Sequence, residues 1–226
     1  MNQTSAEFDL SSRPTLAELP IKDFLAALAA RTPTPGGGSM TALTAALAAG
    51  QLRMVIAYTR GKPRFAAVDN ILADYEARLT RAGAVLCELM EEDRVAYEAL
   101  NPLLKLPPTQ RRADPAFPAA VAAAIRIPQA VAAAAGSIVE AAVVLRDKVN
   151  PRLLSDLGVA AITAMAAVMA AELNVLVNLP LLDNPVAARA LALEIAHQSA
   201  QARTQWDQLA AQLHRGLSAT IPATAP

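Results

Sequence analysis

The sequence predicts an all-α protein: an up-and-down bundle of long antiparallel helices that dimerises. Three observations predict it. Apolar residues recur at helical spacing over most of the 226 residues, and no stretch alternates apolar with polar over the length of a strand. Connections marked by proline and glycine are short, which sets successive helices side by side and antiparallel. Hydrophobic residues make up 54% of the chain against 18% charged, an apolar excess that calls for a buried subunit interface.

Taken in order, residues 1 to 19 are polar, unpatterned and read as a loose lead. Met1 to Arg13 lack the basic-then-apolar order of a secretory signal. Ile21, Phe24, Leu25 and Leu28 fall on one stripe and predict a helix from Ile21 to Ala30. The stretch Thr32-Pro33-Thr34-Pro35-Gly36-Gly37-Gly38-Ser39 interrupts it. A second helix follows from Ser39 to Thr59, closed by Gly61 and Pro63, with alanines and Gly50 that would let a neighbouring backbone come close. A long helix from about Ala66 to Leu104 leads to a charged linker through Arg112 and Asp114. The next helix, about Pro115 to Val149, should be kinked at Pro128, because proline removes one backbone hydrogen bond and crowds the preceding turn. Asn150-Pro151 breaks it. Helices from Leu153 to Leu179 and from Val186 to Arg215 complete a single domain, residues 20–215, followed by a loose tail, 216–226.

Composition excludes several classes. Net charge is zero and the basic residues are scattered, so the electrostatic footprint of a nucleic-acid binder is missing. Cys87 is the single cysteine, so neither an intrachain disulfide nor a cysteine-based zinc cluster can form. His197 and His214 lack spaced partners for a metal or for a Ser-His-Asp set. The uncharged run Leu157 to Ala171, mainly alanine, is short for a bilayer. A soluble, cytoplasmic protein is expected.

Chemistry is suggested at a few places. Three consecutive glycines ahead of a helix cost backbone entropy that a plain connector does not require. Ser39 can cap the first free N–H groups, and the helix start can hold an anionic or carbonyl oxygen. The alternative is a tight helix–helix turn. The run is not a Walker loop, since no Gly-Lys-Ser/Thr closes it. On the long helix, Leu86, Leu89, Met90, Ala96, Tyr97 and Leu100 form an apolar stripe with Asp93 in its middle. A carboxylate there needs partners or a raised pKa, and either a functional or a structural acid fits. A polar stripe, Asp156, Thr163, Asn174 and Asn178, runs along the helix after Asn150. Capping by Ser155-Asp156 and interhelical hydrogen bonds from the asparagines are the plain alternatives. Lys62 ends the second helix, where a cation offsets the negative dipole end. Glu172 interrupts another apolar stripe and reads as an interface ion pair.

Together, Pro33-Thr34-Pro35-Gly36-Gly37-Gly38-Ser39, Gly61-Lys62, Asp93 in Glu92-Asp93-Arg94-Val95-Ala96-Tyr97, and Asn150 ahead of Ser155-Asp156-Leu157 with Asn174-Val175 and Asn178-Leu179 resemble the cyclodeaminase/cyclohydrolase family. That family includes the cyclodeaminase half of formiminotransferase-cyclodeaminase and stand-alone bacterial methenyltetrahydrofolate cyclohydrolases. The resemblance covers about Ile21 to Arg215. It implies a helical homodimer acting on tetrahydrofolate one-carbon adducts, without metal or nucleotide cofactor. It marks Asp93 as proton acceptor and places Pro35, Gly36, Gly37, Gly38, Ser39, Lys62, Asp156 and Asn174 in or beside the folate site. Two departures, Val149 where many relatives have glycine and the charged, proline-rich Pro107 to Phe117, bear on the rim and on selectivity.

A methenyl carbon held as a cationic amidinium needs water and a base, and an ionised Asp93 on an apolar wall suits both. Cyclohydrolase chemistry is expected first, since no formiminotransferase segment accompanies this domain; cyclodeaminase chemistry, with release of ammonia, is the alternative. A non-catalytic helical scaffold is the alternative from another class.

Overall fold

The structure, a computed structural model, describes residues 14–218. Among these residues there are seven α-helices and no strand. They are α1 (Ile21–Ala29), α2 (Gly37–Ala57), α3 (Asp69–Leu104), α4 (Pro108–Ala113), α5 (Phe117–Leu145), α6 (Leu154–Leu176) and α7 (Pro185–Ser218).

Side-chain contacts fix the directions of the helices. Ser39, early in α2, meets Asp93, late in α3, whereas Arg60, just past α2, pairs with Glu76 early in α3. The two helices are therefore antiparallel. Thr41 with Asn174 and Gln51 with Asp156 run α6 against α2 in the same way. Asn178, just past α6, reaches Ala124 early in α5, and Gly158 of α6 lies against Leu213 late in α7. The bundle thus has two ends. One gathers the starts of α2 and α5 with the ends of α3 and α6; the other gathers the opposite termini. The 21 residues of α2 separate them by about 30 Å at 1.5 Å per residue.

Alanine fills the seams. Ala42, Ala45 and Ala49 of α2 and Ala160, Ala164 and Ala171 of α6 are wholly buried, so backbones lie close and each contact is thin. Larger side chains anchor the interior: Leu52, Ile56, Leu86, Met90, Leu145 and Leu157 are fully buried. Each is worth about 1.5–3 kcal/mol relative to exposure.

The structure corrects several expectations. The lead is not loose as far as residue 19. Thr15 caps a 3₁₀ turn, Leu16–Glu18, in a capping box; Leu16 is buried and donates its N–H to Glu91 Oε2 at 3.2 Å. Residues 1–13 and 219–226 lie outside the described residues, and α7 runs beyond Arg215 to Ser218. The expected charged linker contains the short helix α4. Gly50 meets no neighbour among the described residues: none of them lies within 4 Å of where its Cβ would sit.

Helix α5 continues through Pro128, and a side chain repairs the missing bond. Proline at position 128 has no N–H for the carbonyl of Ala124, and that carbonyl accepts instead from Asn178 Nδ2 at 3.0 Å. The expectation that no segment matches a membrane span is also corrected. Helices α2 and α5 and the stretch Pro151–Leu181 are long and apolar enough to cross a membrane by length and composition. Here they pack on one another, with Ser39, Thr41 and Asn174 among their residues.

Candidate functional site

Helix α2 starts at Gly37 with Gly36 as its N-cap, two residues earlier than the serine predicts. Ser39 does not cap it. Its hydroxyl, fully buried, lies 3.0 Å from the carbonyl of Met90 and 2.9 Å from Asp93 Oδ2. Among the described residues, no hydrogen bond takes the N–H groups of Gly37 or Gly38. They are free donors at the positive end of a 21-residue helix.

Gly38 has a steric reason to be glycine. A Cβ there would fall 1.9 Å from Asp93 Oδ1 and 2.4 Å from its Cγ, so the carboxylate rests directly on bare backbone. Asp93 is half-buried. Burial pushes its carboxyl above the ordinary aspartate range, opposed by hydrogen bonds from the Ser39 hydroxyl and the Ser39 backbone N–H. The stripe reading of α3 holds for Leu86, Leu89, Met90, Ala96 and Leu100, all buried; Tyr97 turns outward.

A cavity of about 260 Å³ opens beside this acid. Gly36, Gly37 and Gly38 form one side, Asp93 and Tyr97 another, and Asn174 and Asn178 a third. Asn174 donates to Thr41 Oγ1 at 3.2 Å, and Thr41 in turn donates to the Gly37 carbonyl at 2.6 Å, which ties α6 to the glycine turn. Both amide hydrogens of Asn178 are taken, by the carbonyls of Ala124 and Asn174. The interhelical bonding expected of the asparagines is therefore present, and the acceptor oxygens of both side chains remain for a ligand. Pro35 is buried behind the turn and its peptide bond to Thr34 is cis.

The turn is held from α3. Thr34 Oγ1 donates to Glu98 Oε1 at 3.0 Å, and Arg94 bridges Glu98 and Glu91. The Arg94 guanidinium beside Glu91 holds that carboxyl below its ordinary range.

Lys62 and Asp156 lie at the other end of the bundle, not beside Asp93 in the same chain. Lys62, whose Nζ caps the carbonyl of Tyr58, lines a separate cavity of about 360 Å³ with Arg64, Phe65, Asn150 and Arg152. Asp156 sits in the first turn of α6 and accepts from Gln51 Nε2 at 3.0 Å. Lys62 and Asp156 satisfied motif spacing, and only antiparallel packing sends them away. Conversely, Tyr97 and Pro128 line the cavity without being singled out for it by the sequence, and Asn178 joins them from the polar stripe. Tyr97 sits one helical turn from Asp93 and Asn178 on the polar stripe, both legible signals; Pro128 was read only as a kink.

Among the described residues, no group of three His, Cys, Asp or Glu side chains converges on a point. Glu172 makes no ion pair within the described residues.

Comparison with known proteins bears on the family of the chain. The chain is similar to a methenyltetrahydrofolate cyclohydrolase of Methylorubrum extorquens, 30% identical over 168 residues, 73% of this chain and 81% of that protein. It is 30% identical over 201 residues to a formimidoyltransferase-cyclodeaminase of Rattus norvegicus, covering 87% of this chain but 37% of that longer protein. Its fold matches the crystal structure of formiminotetrahydrofolate cyclodeaminase from Thermotoga maritima with a TM-score of 0.81 at 24% identity, over 87% of this chain and 96% of that one. The sequence profile described as formiminotransferase-cyclodeaminase matches residues 20–197, which span the glycine turn, Asp93, Asn174 and Asn178. With that match over most of the chain, the protein belongs to the formiminotransferase-cyclodeaminase family.

Proposed function

We propose that the protein is a folate one-carbon enzyme, a methenyltetrahydrofolate cyclohydrolase that hydrolyses 5,10-methenyltetrahydrofolate to 10-formyltetrahydrofolate. The observation that carries the reading is the seat of Asp93: a carboxylate pressed on the bare peptide of Gly38, at the mouth of a helix, inside a ligand-sized cavity. The cyclohydrolase relative matched over 81% of its own length supports the choice of reaction.

In this reading the methenyl carbon, cationic between two nitrogens, lies against Asp93, whose charge attracts it. Water adds to that carbon and Asp93 takes the proton. The carboxylic acid then returns the proton to the departing nitrogen as the carbon–nitrogen bond breaks, and the hydroxyl proton leaves to solvent as the formyl group forms. The free N–H groups of Gly37 and Gly38 suit a ring oxygen of the substrate. The acceptor oxygens of Asn174 and Asn178 suit the ring's N–H edge. Coverage of 87% of the chain by a formimidoyltransferase-cyclodeaminase favours a second reading, cyclodeaminase chemistry at the same acid with ammonia as leaving group.

The same reading includes a homodimer that completes the site. Helix α6 exposes Val159, Ile162, Ala166, Met169, Leu173 and Leu176 at alternating three- and four-residue steps, and α2 beside it exposes Met40 and Leu47, with Tyr58 just past its end. Such a seam is half of a four-helix interface. A two-fold axis through its middle lays each α2 antiparallel to its copy. Lys62 of the partner subunit, and the basic cavity around it, then come to the Asp93 end, where they can hold a carboxylate of the substrate's tail. Asp156 of the partner subunit comes with them. The reading needs no metal or cofactor, and it places the enzyme in the cytoplasm.

The test follows decay of the methenyl chromophore with purified protein, in parallel with ammonia release from the formimino substrate. Turnover of the first substrate above the second supports cyclohydrolase; the reverse order selects cyclodeaminase; neither turnover overturns the folate reading. Dialysis against EDTA should leave the rate unchanged.

A further inference from the structure

The cluster behind Asp93 contains more acceptors than hydrogens. The Ser39 hydroxyl has one proton and two acceptors within reach, the Met90 carbonyl at 3.0 Å and Asp93 Oδ2 at 2.9 Å. It cannot serve both fully at once. A carbonyl oxygen has no proton to give, so whatever Ser39 accepts in this cluster must come from Asp93.

We infer that the Ser39 hydroxyl is a two-position switch that follows the charge of Asp93, donating to the carboxylate when it is ionised and to the Met90 carbonyl when it is protonated. Ser39 is thereby a positioning residue that acts through Asp93, not a substrate contact, since it is fully buried and absent from the cavity lining.

The chemistry of the two states balances. An ionised Asp93 is the stronger acceptor and takes the hydroxyl proton; the Ser39 backbone N–H adds a second donor. Once the carboxyl gains a proton from water, its oxygens become poorer acceptors. The hydroxyl turns to Met90, and a proton residing on Oδ2 then donates into Ser39 Oγ. No group is left unsatisfied in either state, so proton gain and loss cost little rearrangement. The inference rests on Asp93 being the proton acceptor of the proposed reaction.

The groups that share the cavity with Asp93 are otherwise neutral. Gly36 to Gly38 belong to α2, Ala124 and Pro128 to α5, Asn174 and Asn178 to α6. Tyr97 is the titratable neighbour on its own helix, and Arg94 is tied to Glu91 and Glu98. Among the described residues, Ser39 is the side chain that hydrogen-bonds the acid and so is positioned to tune it.

The experiment titrates the Asp93 carboxyl by carbon-13 NMR in ligand-free protein labelled at aspartate, the resonance being assigned by its loss in Asp93→Asn. In Ser39→Ala the carboxyl should titrate about one pKa unit higher, the size expected for losing one hydrogen bond to a charged oxygen. The acid limb of the pH–rate profile should move up with it. Ser39→Thr, which keeps the hydroxyl, should return both towards their original positions. An unmoved carboxyl in a folded Ser39→Ala, a uniform loss of rate with the limb in place, or a Thr variant that behaves as Ala does would each overturn the switch. A shifted carboxyl in a protein that turns over neither folate substrate would support the switch and sink the proposed function.

Discussion

At Asp93 two opposing effects meet: burial favours the neutral acid, and two donors from Ser39 favour the ion. Burial wins, so the folded carboxyl titrates above its unfolded value. The consequence for stability has a definite sign. The contribution of this group is present below the ordinary aspartate range and is lost as pH rises through the raised value, so at neutral pH the ionised acid destabilises the fold. Asp93→Asn should therefore melt higher than wild type at pH 7, with the difference vanishing in acid, while turnover falls at least 100-fold, the scale of a lost general base. Calorimetry and the methenyl assay check the two halves together. Gly38→Ala separates sterics from charge. Alanine is the better helix former by about 1 kcal/mol, yet its Cβ would fall inside the Asp93 carboxylate. The variant should stay helical by circular dichroism and lose turnover by about 100-fold or more, because a displacement of about 1 Å suffices for that.

Helix α5 carries a lesson about elements. Pro128 interrupts the backbone ladder, and Asn178, from beyond the end of α6, takes the carbonyl that the proline leaves free. Asn178→Ala should cost about 1 kcal/mol in denaturant unfolding, the low end for orphaning an acceptor, since this one is only part-buried. In a Pro128→Ala background the restored N–H occupies that carbonyl, and the same substitution should cost less. A double-mutant cycle should give a coupling of about 0.5–3 kcal/mol, and additivity within error would contradict the repair. Because both residues line the cavity, this hydrogen bond ties the end of α6 to α5 where the ligand space lies.

For the whole molecule, the exposed seam on α2 and α6 decides whether the chain works alone. Leu47 is 60% and Ile162 50% exposed in the single chain. Charged replacements there leave the monomer core untouched, so Leu47→Glu with Ile162→Glu should yield a folded monomer by sedimentation, with little activity. Complementation tests the shared site more sharply. Asp93→Asn and Lys62→Ala are each expected to be inactive, but an equal mixture re-formed from monomers should recover about a quarter of wild-type activity, since half the dimers are mixed and each holds one intact site. No recovery would mean that Lys62 does not serve the partner's cavity.

Local patterns in the sequence were enough to reveal the long helices, their order, the apolar stripe of α3 and the oddity of an acid within it. Periodicity and breaker residues act over one or two turns, so a linear reading sees them. The cost of three glycines was legible too, although its cause was not: Gly38 is bare because a side chain 55 residues further on rests against it. Ser39 has the composition of a cap, and only the arrival of α3 turns its hydroxyl to Met90 and Asp93 instead. Lys62 and Asp156 belong to the same motif set as Asp93, yet antiparallel packing puts a helix length between them. Which end of a helix a residue occupies follows from its number; what stands beside that end follows from how the other helices fold back, and that is a property of the packed chain.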